Sequence, residues 1–158
     1  MMEISDYSSG KNANRFGCVR QNPNFTCDGM PGIRRHSGID IQADIGTDIA
    51  SVTDEILVNA IPDHSSFGKF IIIKSGNLFY LYAHLDNIPN LSIGSQVSTG
   101  DIIGSSGDSA TPNEPHLHLE VRQQINNESY NDMLRLDIEN YLITQFDING
   151  NTIQNNCN

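Results

Sequence analysis

The amino-acid sequence predicts an all-β domain, because short apolar runs recur at close spacing and glycine-containing turns separate them. The chain has 158 residues, enough to bury a hydrophobic core within one domain. No internal repeat and no linker-like stretch divides it. We therefore expect one β domain over residues 16–146, a flexible N-terminal arm over residues 1–15 and a C-terminal tail over residues 147–158.

A hairpin signal marks the centre of the predicted sheet. Lys69–Lys74 encloses a continuous apolar run, and the turn-forming residues 75–77 separate it from a second run, Leu78–Leu85. This pattern is typical of a buried strand that turns tightly into its neighbour. Further short strands are predicted at Gly38–Ala43, Ile49–Val52, Glu55–Ala60, Ile102–Ile103 and Pro115–Val121.

Two regions are predicted to lack strands. Residues 15–35 are rich in glycine, asparagine and proline, which predicts a loop rather than a regular element. The apolar residues between Asp132 and Gln145 predict a short helix, or a helix followed by coil, that packs on the sheet.

The charge of the chain argues against nucleic-acid and membrane partners. Nine Lys and Arg residues against 19 Asp and Glu residues give a formal net charge of −10, whereas neutralising phosphates needs clustered basic side chains. No apolar run approaches the roughly 20 residues that span a bilayer. We therefore expect the substrate to be recognised by shape and hydrogen bonds in a groove. We also expect a monomer.

The three cysteines of the chain are informative about the cellular compartment of the protein. Cys18 and Cys27 bracket a polar stretch that a local disulfide would stabilise by roughly 2–3 kcal/mol in the chain-entropy model. We expect this disulfide in an extracytoplasmic protein, with Cys157 left over, and two free buried thiols otherwise. The first residues lack the basic and apolar regions of a signal peptide. A leader was therefore removed, or another route carries the protein out, or it stays inside the cell.

The predicted strand from Pro115 to Val121 carries two histidines on one face. Side chains alternate along a strand, so His116, His118 and Glu120 share a face while the apolar residues between them face a core. The two histidine positions are about 6.6 Å apart. One histidine can therefore hold a metal while the other reaches a group bound to it. The alternative is a half-exposed strand with incidental histidines.

A second His/carboxylate pair precedes this strand. His36 and Asp40 would lie about 13 Å apart in a straight strand, so a shared metal requires a bend, which Gly38 permits. Two histidines and one carboxylate leave part of a coordination shell open, as in catalytic zinc sites and Fe(II) triads. Of the remaining histidines, His84 ends a predicted strand, and His64 lies in a turn and is expected at the surface.

These motifs resemble those of the lysostaphin-like (LytM-type) zinc metallo-endopeptidases that act on peptidoglycan. The resemblance covers about residues 15–143 and includes the opening segment Phe16–Gly17 with Arg20, a glycine-rich stretch from Gly94 to Gly107, and the closing segment Ile138–Leu142. The motifs that carry it are His36-x-x-x-Asp40, Tyr82-Ala83-His84-Leu85 and His116-x-His118-Leu119-Glu120.

The resemblance implies a fold and a set of site residues. The implied fold is a mainly antiparallel sheet with a central groove and few short helices, the lysostaphin-like or duplicated hybrid motif fold. The resemblance implies one zinc ion bound by His36, Asp40 and His118. It also implies that His84 and His116 flank the attacking water. We expect His116 as the general base and His84 as the stabiliser of the oxyanion, or the reverse.

Three further side chains near these motifs have two interpretations each. Glu120 either orients a metal ligand or is a carboxylate on the sheet surface paired with a cation. Tyr80 and Tyr82 are expected to share a strand face with His84, and they either line the groove or pack in the core.

The sequence therefore predicts a zinc endopeptidase that hydrolyses peptidoglycan cross-bridges, at D-alanine–diamino acid bonds in preference to glycyl-glycine bonds. The alternatives are a non-catalytic lysostaphin-like module that binds or activates other cell-wall hydrolases, and an Fe(II) enzyme. The expected partners are peptidoglycan peptides and, for an antibacterial effector, an inhibitor or immunity protein. The expected location is the periplasm or the outside of the cell.

Overall fold

The computed structural model describes residues 15–139, and these residues form an almost entirely β fold. The all-β prediction is confirmed, since Ile138 and Glu139 are the helical residues in this range. Most of the predicted arm and the whole predicted tail lie outside the described residues, so the domain boundaries stay predictions. The strands are β1 Gly17–Cys27, β2 Met30–His36, β3 Ile39–Gln42, β4 Asp48–Ala50, β5 Glu55–Ile61, β6 Lys69–Ser75, β7 Leu78–Asn87, β8 Gln96–Val97, β9 Ile102–Ser106, β10 His116–Gln123 and β11 Leu134–Arg135.

Nine strands of residues 15–139 form one antiparallel sheet. Its main order is β11-β10-β7-β6-β5-β8, and β3 pairs with β10, β4 with β9, and β9 with β7. Apolar side chains cover both faces of the central strands, with Ile71 and Ile73 in the larger core and Phe70 and Ile72 in the smaller one. Burial on both faces explains why β6 is a continuous apolar run. Among residues 15–139, no helix is both long and apolar enough to cross a membrane.

The prediction of a loop over residues 15–35 is wrong. β1 and β2 form an antiparallel hairpin that is a separate two-stranded sheet. Register shifts between Cys18 and Arg20 and between Gln21 and Thr26 absorb residues that do not fit a regular ladder. Such bulges accommodate the asparagine- and glycine-rich composition that otherwise predicts a loop. A disulfide joins Cys18 to Cys27, whose Cα atoms are 5.7 Å apart.

The prediction of a helix from Asp132 onward is wrong for residues 132–137. Leu134 and Arg135 form β11 on the edge of β10, and the helix begins only at Ile138. Burial of Met133 and Ile138 anchors this segment on the sheet. The apolar residues that suggested a helix therefore lie in an extended segment. This segment is too short to show the alternation that is typical of a strand.

Gly38 lies in the turn that carries β2 into β3. A Cβ at this position would overlap the carbonyl oxygen of Leu119 and lie 2.9 Å from Glu120 Cγ. A residue without a side chain thus lets the turn approach β10 closely. The close approach brings the end of β2 and the start of β3 against the same stretch of β10.

Replacing Gly38 by alanine is expected to lower the free energy of unfolding by about 3 kcal/mol, because the new Cβ meets sheet backbone that cannot move aside. Denaturant unfolding followed by circular dichroism measures this loss. Gly94→Ala is the matched control, since nothing lies within 4 Å of its added Cβ, and its positive φ of 93° should cost only about 1 kcal/mol. Equal losses in the two variants would contradict the close approach.

Candidate metal centre and active site

The three predicted metal ligands converge where β2, β3 and β10 meet. His36 ends β2, and Asp40 on β3 lies directly opposite His118 on β10. His36 Nε2 lies 3.0 Å from His118 Nδ1 and 3.1 Å from Asp40 Oδ1. Asp40 Oδ1 lies 2.8 Å from His118 Nδ1. All three side chains are buried, so the strand register builds a compact cluster of donor atoms.

The outer nitrogen of each histidine in this cluster contacts an oxygen atom. His36 Nδ1 lies 2.9 Å from the carbonyl oxygen of Arg15, and His118 Nε2 lies 3.1 Å from Glu120 Oε1. A neutral imidazole that donates from one nitrogen has a lone pair on the other. The inner nitrogens of both rings therefore point lone pairs at the carboxylate of Asp40. Three electron-pair donors this close together favour a cation among them.

The cluster fits a zinc ion. Zinc takes nitrogen and oxygen donors at about 2.0–2.2 Å, which places tetrahedral donor atoms roughly 3.4 Å from one another. The three separations of 2.8–3.1 Å between the inner atoms of His36, Asp40 and His118 are close to that value. Three protein ligands also leave a fourth position open, as catalytic zinc sites require.

Burial and charges within the cluster shift the pKa values of its three members in different directions. Burial alone would raise the pKa of Asp40, but hydrogen bonds and charges from His118 and His36 hold that pKa well below its usual value. Burial alone would lower the pKa of His118, whereas Asp40 and Glu120 raise it. Burial lowers the pKa of His36. Asp40 is therefore ionised across the physiological range.

Glu120 is fully buried, so its interpretation as a surface carboxylate is wrong. Besides His118, Ser37 Oγ donates to its Oε1 and Arg122 Nε donates to its Oε2 at 2.8 Å. The guanidinium of Arg122 lies 4.0 Å from the ring centroid of Tyr130 and donates to the Tyr130 carbonyl at 2.8 Å. Burial would raise the pKa of Glu120, but His118, Arg122 and Ser37 lower it to about 2. An ionised Glu120 thus orients the ring of His118.

The two predicted catalytic histidines flank the cluster. The ring centroids of His84 and His116 are 4.7 Å apart, and His116 Nε2 lies 3.6 Å from Asp40 Oδ1. His84 Nδ1 lies 2.8 Å from the Ser109 carbonyl oxygen, and His116 Nδ1 lies 2.6 Å from that of Glu114. Each neutral ring therefore has its lone pair on Nε2. Burial lowers the pKa of His84 to about 4, so this ring is neutral at pH 7.

His84 departs from the alternation of its strand. Its φ is 61°, and the β6–β7 register shifts between Lys69 and Ile71, so β7 is bulged here. Ala83 lies opposite His118 and shares its face of the sheet. A regular strand would therefore turn His84 away from His118, but the left-handed backbone brings the two ring centroids to 5.8 Å.

The prediction that Tyr80, Tyr82 and His84 share a strand face is wrong for the same reason. Tyr80 and Tyr82 are buried in the larger core, on the face opposite the histidines. The hydroxyl of Tyr82 accepts a hydrogen bond from Val52 N at 3.0 Å. The tyrosines therefore pack in the core and do not line the groove.

Arg20 contacts the cluster directly, although no role is predicted for it from the sequence. Its Nη2 forms an ion pair with Asp40 Oδ2 and lies 3.0 Å from His36 Nε2. The bulge between Cys18 and Arg20 prevents these two side chains from sharing a strand face. The position of Arg20 after Phe16–Gly17 was the available signal, but the bulge that orients its side chain has no sequence signature.

His64 is exposed, as predicted, and stays outside the cluster. Its Nδ1 accepts hydrogen bonds from the backbone nitrogens of Ser66 and Phe67, both at 3.2 Å. The ring of Phe67 in turn lies 5.8 Å from that of His118. His64 thus closes a turn that places an aromatic ring against the cluster. The donor cluster, His84 and His116 all line one groove of about 1030 Å³.

Comparison with known families matches residues 34–132, more than half of the chain, to the model of Peptidase family M23. The chain belongs to Peptidase family M23. This membership confirms the predicted resemblance. The matched range of the M23 domain contains all five candidate site residues and begins after Arg20 and the disulfide.

Individual relatives agree with this membership. An uncharacterized metalloprotease of Buchnera aphidicola is 35% identical over 155 residues, which cover 89% of this chain and 38% of that protein. Peptidoglycan DD-endopeptidase ShyA of Vibrio cholerae is 34% identical over 87 residues, covering 54% of this chain and 20% of that protein. The M23 chain thus spans less than half the length of these curated relatives.

One solved structure supports the fold. The catalytic domain of the antimicrobial peptidase lysostaphin from Staphylococcus simulans is 25% identical to this chain, with a TM-score of 0.62. The similarity covers 81% of this chain and 88% of that chain. The prediction of a lysostaphin-like fold is confirmed.

Replacing Glu120 by glutamine is expected to weaken zinc binding about 10- to 100-fold, because the neutral amide no longer holds His118 in its ligand tautomer. Competition with a chromogenic chelator measures the affinity. Glu114→Gln is the control: its side chain also lines the groove, and its backbone carbonyl, which holds His116, is unchanged. An unchanged affinity in the Glu120 variant would refute the orienting role.

Two variants test the left-handed backbone at His84. His84→Gly is expected to be more stable than His84→Ala by about 1 kcal/mol, because alanine is strained at a φ of 61° and glycine is not. Thermal unfolding measures the difference. The pair Gln123→Gly and Gln123→Ala, in the regular part of β10, should give the opposite order. The same order at both sites would contradict the strain at His84.

Proposed function

We propose that this chain is a zinc-dependent endopeptidase that hydrolyses peptide cross-bridges of bacterial peptidoglycan. The observation that carries the proposal is the convergence of His36, Asp40 and His118 in an open groove, with His84 and His116 beside them. Membership of the M23 family and the similarity to ShyA, named a peptidoglycan DD-endopeptidase, support this substrate class.

The proposed chemistry assigns a role to each residue. A zinc ion held by His36, Asp40 and His118 would supply a Lewis acid that lowers the pKa of water and polarises the scissile carbonyl. His116 takes the proton of the attacking water at Nε2 and delivers it to the leaving amine. The carbonyl of Glu114 keeps its ring in the accepting tautomer.

His84 is the second proton carrier in this proposal. Because its pKa is lowered to about 4, its Nε2 has no proton at neutral pH and cannot donate to an oxyanion at once. It reaches that role only after taking up a proton from solvent in the groove, because the proton that His116 accepts goes to the leaving amine. We therefore propose His116 as the general base and His84 as a stabiliser that acts in its protonated form.

We propose D-alanine–diamino acid bonds as the preferred site of cleavage, in the periplasm or outside the cell. The name of ShyA supports the DD-specificity. The disulfide of the β1–β2 hairpin supports an oxidising compartment, because such bonds rarely persist in the cytosol.

Digestion of purified peptidoglycan, followed by mass analysis of the fragments, tests the proposal. The zinc-loaded chain should cleave within peptides, and chelation should abolish cleavage. His118→Ala should lose both metal and activity, because it removes a buried ligand. His116→Ala should keep its metal and lose at least about 100-fold in kcat, the usual contribution of a general base.

Metal analysis and thermal unfolding of each variant are the controls, since a misfolded variant would mimic a catalytic loss. Intact peptides after incubation with a folded, zinc-loaded protein would contradict the proposal. Binding of peptidoglycan without cleavage would favour a non-catalytic module. Activity that returns with iron but not with zinc would favour an Fe(II) enzyme.

A further inference from the structure

The groove has a charge balance opposite to that of the chain. The chain has 9 basic and 19 acidic residues. Among residues 15–139, five arginines and two acidic residues, Asp40 and Glu114, line the groove. The five are Arg20, Arg34, Arg35, Arg122 and Arg135. Basic side chains are thus concentrated at the one place where a substrate would lie.

Four of these arginines form two cross-strand pairs. Arg20 lies directly opposite Arg34 in the β1–β2 hairpin, and Arg122 lies directly opposite Arg135 between β10 and β11. Like charges directly opposite each other destabilise an antiparallel pair. Two such pairs along one groove therefore destabilise the fold unless anions bind to them.

One arginine of each pair has its anion within the protein. Arg20 forms an ion pair with Asp40, and Arg122 is held by the buried carboxylate of Glu120. Arg35, beside the first pair, contacts the carboxylate of Asp28. These three guanidinium groups are therefore occupied by carboxylates of the chain.

Arg34 and Arg135 are the members without an anionic partner in the part of the chain that the structure describes. Both are exposed, and neither forms an ion pair with a carboxylate of residues 15–139. Arg135 Nη2 has one long hydrogen bond, 3.4 Å, to the carbonyl oxygen of Asn131. An exposed guanidinium beside a second cation is well suited to bind a carboxylate through two parallel hydrogen bonds.

We infer that Arg34 and Arg135 bind free carboxylates of the substrate peptide, on the two sides of the groove formed by the hairpin and by the edge of the sheet. This inference rests on the proposed peptidase function. It names the substrate class as anionic peptide cross-links. Peptides with the same carboxylates converted to amides, and uncharged oligoglycine bridges, lack the group that these arginines bind.

The positions of the two arginines match an extended peptide. Arg34 precedes His36 by two residues on β2, about 6.6 Å along the strand. Arg135 lies opposite Arg122, which follows His118 by four residues on β10, about 13 Å along the strand. A peptide rising about 3.3 Å per residue thus brings carboxylates two and four residues from the reacting bond to the arginines.

A matched pair of synthetic cross-linked stem peptides tests the inference. The two peptides are identical except that the glutamate and diaminopimelate carboxylates are free in one and carboxamides in the other. The zinc-loaded chain should cleave the free-carboxylate peptide with about tenfold higher kcat/KM, because two charge-assisted contacts are lost in the amide. The preference should shrink at high salt, since both arginines are exposed.

The double variant Arg34→Gln, Arg135→Gln should lower this preference to about one while leaving cleavage of the amide peptide within about twofold. Lys74→Gln is the matched control, because it removes a positive charge from β6, outside the groove lining. It should keep the full preference. The two arginines make no ion pair within residues 15–139 and each faces a second arginine, so their removal should not lower the melting temperature.

Binding separates the failure of this inference from the failure of the proposed function. Fluorescently labelled forms of the two peptides are titrated with the His116→Ala protein. Preferential binding of the carboxylate form that is lost in the double variant supports the inference, even if no cleavage occurs. In that case the absence of cleavage by the zinc-loaded chain overturns only the proposed peptidase function. Equal cleavage and equal binding of the two peptides would overturn the inference and leave the function standing. A preference that survives in the double variant, or no binding by either peptide, would also overturn it.

Discussion

The cross-strand register that sets Asp40 opposite His118 is the constraint on which the site depends. It brings a carboxylate and an imidazole from distant parts of the sequence within 2.8 Å of each other. Gly38 then allows the preceding turn to lie against β10, so that His36 completes the cluster. A shift of this register by one residue would turn His118 to the core face and remove it from the cluster.

The groove contains several features that reduce stability, and they occur together. His84 has a left-handed backbone, Glu120 and Arg122 form a buried ion pair, and arginines face each other across two strand pairs. Each feature is unfavourable for folding on its own. Each also places a donor, an acceptor or a charge in the groove. Such clustering is expected where function rather than packing has determined the residues.

Regular periodicity made most of the fold predictable. The hairpin of β6 and β7 and the alternation of β10 could be predicted, because these strands are buried in the large sheet. Their burial requires an apolar pattern in the sequence. The ordered motifs around His36, His84 and His118 likewise indicated which residues converge. The β1–β2 hairpin could not be predicted, because two register shifts interrupt its residue pattern and a disulfide rather than an apolar face stabilises it. The face of the sheet to which the His84 side chain points could not be predicted either, since it depends on a bulge and one backbone dihedral angle.

The four clustered histidines differ in whether a substitution can remove the hydrogen-bond partner of their outer ring nitrogen. His36, His84 and His116 each contact a main-chain carbonyl, of Arg15, Ser109 and Glu114 respectively. Main-chain carbonyls survive any side-chain replacement, so the tautomers of these three rings are robust to point mutation at the contacting positions. His118 alone is held by a side chain, that of Glu120. Evolution or a protein engineer can therefore replace the hydrogen-bond partner behind His118 by one substitution, while the other three rings keep their main-chain partners.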